Sequence, residues 1–71
     1  MSAELAAKLV AMANQIAKAF DSQRGDAVSQ TAEHLGAFWT PPMRMAIVDH
    51  LRAGGEGLSP TARAAVTALE I

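Results

Sequence analysis

Twice in this chain a hydroxyl residue is followed at once by proline, at Thr40-Pro41 and at Ser59-Pro60. Proline fits the first turn of a helix, where N–H groups have no intrahelical partner, and the hydroxyl before it accepts from those orphan donors. Each pair therefore starts a helix and forbids one from running through. Gly25-Asp26, a breaker followed by a cap, marks a further start. Between these points apolar residues recur at helical spacing, and strand alternation is absent. The pattern predicts an all-α domain, a small bundle of four short helices.

The first helix is predicted over about 3–20, with Ser2 as its cap. Leu5, Leu9, Met12, Ile16 and Phe20 form one stripe, flanked by Val10, Ala13 and Ala17. Asn14 and Gln15 lie at its borders, and Glu4 and Lys8 form an i,i+4 pair on the other side. The second helix covers about 27–37, with Val28, Thr31, Ala32 and Leu35 at helical spacing and Gly36 weakening its end. Phe38 and Trp39 bridge to a third helix over about 41–52, which sets Met43, Ile47, His50 and Leu51 on one face and Met45, Val48 and Arg52 on another. Ala53-Gly54-Gly55-Glu56-Gly57 ends it, with glycine supplying positive φ. The last helix, about 60–69, turns Ala62, Ala65, Val66 and Leu69 inward.

Size limits the core. Seventy-one residues make a single domain, and 16 of its 36 hydrophobic residues are alanine, so few large side chains can fill an interior. With no cysteine, neither a disulfide nor a zinc–thiolate site can compensate. A partner chain, identical or different, is the remaining stabiliser. A formal net charge of −1 argues against nucleic acid and against an anionic membrane as the ligand. With no signal-peptide pattern and no membrane-spanning apolar run, cytoplasmic residence is the expectation.

No grouping of residues resembles a catalytic centre. His34 and His50 stand sixteen apart on different helices without a third ligand at metal-site spacing, which favours structural roles, His50 donating a hydrogen bond at a helix end. The run from Gly54 to Pro60 has glycines before a helix, but no strand precedes it and no lysine follows, so it is a helix–helix turn rather than a phosphate loop. The second and third helices resemble a helix-turn-helix, yet Arg44 and Arg52 alone are too few phosphate contacts for DNA. Trp39 beside Phe38 reads as core or interface rather than a base-stacking platform, and Arg44 is placed to stack on Trp39.

The segments Leu9 to Phe20, Ala32 to Arg44, Asp49 to Leu51 and Gly54 to Pro60, taken in order, resemble the delta subunit of the soluble bacterial NAD-dependent formate dehydrogenase. The resemblance spans roughly 9–66, and its specific element is the combination of MANQIA, HL-x-x-FW-x-P and GG-x-GL-x-P. Thr40 and Pro42 depart from the pattern, where an acidic cap and a basic residue are expected. The resemblance implies a non-catalytic accessory subunit that binds the catalytic alpha subunit and supports assembly, cofactor maturation or stability. It also implies that no cofactor is bound by this chain. The molybdenum or tungsten bis-molybdopterin centre and iron–sulfur clusters belong to the alpha subunit, and FMN and NAD to the beta and gamma subunits. The expected partner interface comprises Phe38, Trp39, Met43 and Arg44 at its centre, with Asn14, Gln15, His34 and His50. On that reading Trp39→Ala weakens association by about 2 kcal/mol or more. Two alternatives remain at this stage: a homo-oligomer packed through its apolar helix faces, and a pterin or small-molecule carrier reading its ligand with Asn14, Gln15 and Trp39.

Overall fold

The computed structural model describes residues 3–70, which form α1 (Ala3–Asp21), α2 (Ala27–Phe38), α3 (Pro41–Arg52) and α4 (Pro60–Leu69). The expected Ser2 cap lies outside the described residues. The three other caps form. Thr40 Oγ1 accepts from the Met43 N–H at 3.3 Å, and Ser59 Oγ accepts from the Ala62 N–H at 3.2 Å. The Asp26 carboxylate takes the N–H groups of Val28 and Ser29 at 3.1 and 3.2 Å and the Ser29 hydroxyl at 2.9 Å. These bonds, the Ser29 hydroxyl foremost, hold its carboxyl below the ordinary carboxylate range.

α3 ends in a Schellman motif. Gly54 N–H reaches Leu51 C=O at 3.0 Å and Gly55 N–H reaches His50 C=O at 2.9 Å. Gly54 has φ +126° and Gly55 φ +65°, values that L side chains rarely adopt.

α4, the shortest helix, and α1 each pack on all three others, whereas α2 and α3 scarcely touch one another. Close approach from several sides requires small side chains, and Ala62, Ala65 and Val66 are fully buried on α4. The same reasoning corrects the expected stripe on α1. Its buried line is Leu9, Ala13 and Ala17, while Leu5 and Met12 are 44% and 38% exposed. The buried arc thus falls on the small side chains rather than on the larger ones. Leu35, Trp39, Ile47 and Leu58 complete the core.

Within that core Thr31 is fully buried and its hydroxyl has no hydrogen-bond partner. An unpaired buried hydroxyl costs about 1–3 kcal/mol. Thr31→Val keeps the shape and removes the orphan, so it should raise stability by about 1 kcal/mol. In thermal melts that is roughly 4–8 °C for a domain of this size. A lower melting temperature would show that the hydroxyl has a partner.

Candidate functional site

Two of the polar side chains singled out from the sequence, Asn14 and His50, serve one task inside the fold together with Arg63: they hold the turn between α3 and α4. Asn14, half-buried on α1, donates from Nδ2 to Gly57 C=O and accepts the Ser59 N–H on Oδ1, both at 2.9 Å. His50 donates from Nε2 to Glu56 C=O at 2.8 Å, the role expected for a helix-end histidine. Arg63 donates from Nη2 to the carbonyls of Gly54 and Gly55, both at 3.0 Å. A Cβ on Gly55 would stand 2.9 Å from the Arg63 guanidinium, which would have to move aside, and the positive φ is what calls for glycine there. Carbonyls 54 to 57 are thus held by side chains from α1, α3 and α4. The Gly54–Pro60 run is the expected helix–helix turn, tied down at the four carbonyls from Gly54 to Gly57.

Arg44 has a comparable role at the other corner. Its Nη1 donates to Trp39 C=O and to Gly36 C=O, the latter at 3.3 Å, capping the carbonyl end of α2. It does not stack on the Trp39 ring, which lies elsewhere. Helix α2 runs one residue beyond the prediction, through Phe38, so Trp39 is its C-cap in an extended conformation (φ −81°, ψ 143°). Thr40, preceding proline, is held extended as well. The chain thereby swings the indole beneath the helix end, and Trp39 is only 5% exposed.

The residues of the expected interface have different surroundings within the chain. Trp39 is a core residue, Met43 packs half-buried against the core, and Arg44 is part-buried on backbone carbonyls. Asn14 and His50 have their polar atoms engaged within the chain. Gln15 is exposed. The trio invoked for a pterin carrier, Asn14, Gln15 and Trp39, does not converge: one is in the turn clamp, one in solvent and one in the core.

The large exposed side chains are elsewhere. Phe38 is 73% exposed at the end of α2 and Met45 is 66% exposed on α3. The His34 ring lies 4.7 Å from the Phe38 ring, tilted by 40°, and 6.2 Å from Phe20, edge to face at 64°. Together with Gln30, Glu33 and Ala37 these three rings line an open hollow of about 360 Å³. Met45 lines a second hollow with Gly36, Pro41, Arg44 and Val48, also reached by Arg52 and Glu70. The expectation missed Met45 and Phe20 because both lie on predicted apolar faces, where exposure cannot be read without knowing which helix covers which.

Among the described residues no group of three metal-ligating side chains converges, and no helix is long and apolar enough to cross a membrane.

No curated protein and no solved structure matches the chain. A family model does, over residues 8–66 of 71: the NADH-dependent formate dehydrogenase delta subunit, FdsD. The matched span contains the turn clamp, the α2 cap and the hollow lined by Phe20, His34 and Phe38, and the chain belongs to this delta-subunit family.

Proposed function

We propose that this chain is a non-catalytic accessory subunit that docks on the catalytic alpha subunit of an NAD-dependent molybdenum or tungsten formate dehydrogenase and supports its assembly, cofactor maturation or stability. Family membership supports a role within that complex. The observation that carries the docking role is the exposure of Phe38 and Met45 on a domain whose core is built largely from alanine. Large apolar side chains left in water on so small a domain support such a docking surface. In this reading the chain acts in the cytoplasm and binds no cofactor of its own, the redox centres residing on the alpha, beta and gamma subunits. The interface is recentred on Phe38, His34 and Met45, with Trp39 and Asn14 supporting it from within.

Affinity purification of the tagged chain from its native host, grown on formate with molybdate, tests the reading. Recovery of a formate dehydrogenase alpha subunit in near-equal amount supports it. Recovery of the chain alone, as a defined oligomer, replaces it with self-association.

A further inference from the structure

The hollow on α1 and α2 has a chemistry of its own. Three aromatic rings, Phe20, His34 and Phe38, stand in a row along it, and Glu33 and Gln30 complete its lining with Ala37. Glu33 is exposed and makes no ion pair among the described residues. The Gln30 Oε1 atom has no hydrogen-bond partner. No lysine or arginine lines the hollow, and Glu33 is the only aspartate, glutamate, lysine or arginine between residues 27 and 43. Three of the four arginines are engaged elsewhere in the chain: Arg44 on the α2 carbonyls, Arg63 on the glycine turn and Arg52 beside Glu70 at 3.8 Å. Ring faces carry negative quadrupole density, and a carboxylate adds full negative charge. The hollow is complementary to a cation that this chain does not itself supply.

We propose that this hollow seats an arginine side chain of the formate dehydrogenase subunit on which the chain docks, the inference resting on the accessory-subunit reading above. Arginine fits better than lysine because its planar guanidinium stacks on an aromatic face while its N–H fork meets a carboxylate. Phe38 supplies the exposed face, Phe20 the opposing wall from α1, and Glu33 the counter-charge. His34 holds the two phenylalanines apart by its ring contacts with both.

The test measures the affinity of wild type, Glu33→Gln, Phe38→Leu and the double variant for formate dehydrogenase prepared from cells lacking this chain. Both positions are exposed, so thermal melts should match wild type, and Glu4→Gln, exposed on α1 outside the hollow, serves as the matched control. Each single substitution should weaken binding by about tenfold. The double variant should be little weaker than the poorer single, because both side chains act on one guanidinium. Added salt should weaken wild type more than Glu33→Gln. Binding by wild type with unchanged affinity in both singles overturns the arginine seat and leaves the accessory role standing. No binding by wild type overturns both. Self-association of the wild type that Phe38→Leu disperses assigns the surface to a second copy and overturns the arginine seat.

Discussion

Trp39→Ala should lose about 3–5 kcal/mol of folding free energy, the usual result of truncating a large buried aromatic. The indole is 5% exposed and sits in one core with Leu9, Ala13, Leu35, Ile47 and Val66. A domain of 71 residues has roughly 4–11 kcal/mol of stability in all, at typical per-residue values. The variant should therefore be marginal or unfolded at room temperature, visible as lost helical circular dichroism or an early urea midpoint. Read as a docking anchor, the same substitution would leave the fold intact and weaken association alone. A variant that melts like wild type would return Trp39 to the surface.

Asn14→Ala should cost about 2–3 kcal/mol, for a different reason. Its amide is the single side chain that meets both Gly57 and Ser59, and removal leaves a carbonyl and an N–H without their partners. The adjacent Gln15 provides the control. It is exposed, and Gln15→Ala should stay within about 0.5 kcal/mol of wild type. Urea unfolding of the two variants separates the clamp from a mere loss of helix polarity. Equal stabilities for the two would mean that the turn is held without Asn14.

These two residues show what the sequence makes legible. Asp26, Thr40-Pro41 and Ser59-Pro60 announce themselves because capping is local chemistry, decided within three or four residues. The helix starts they mark are found where predicted, at Ala27, Pro41 and Pro60. Burial is not local. Leu5 and Met12 lie on the more hydrophobic side of α1 by side-chain size, yet the alanine line packs inward because short helices approach closely through small residues. A helical wheel weighs size and cannot know which helix covers which face. The surroundings of the candidate interface residues are not local either. Trp39, Asn14 and Arg44 carry conspicuous side chains, and conspicuous side chains suggest surface roles. Each in fact meets a partner far along the chain or across a corner: Arg44 reaches back to Gly36, and Asn14 reaches forward to Ser59. Phe38, the last residue of α2, is by contrast 73% exposed.

The clamped turn has a consequence for how the domain opens. Five residues from Ala53 to Gly57, three of them glycine, would on composition form the loosest stretch of the molecule and the first to exchange its amide hydrogens. The Ser59 amide just beyond it is held by a side chain 45 positions earlier. It can be released only when α1 lifts away or Asn14 lets go. In deuterium exchange, Ser59 should therefore be protected nearly as well as the buried helices. A fast Ser59 would show that the turn opens by itself; a slow one makes this glycine stretch part of the last unit to come apart.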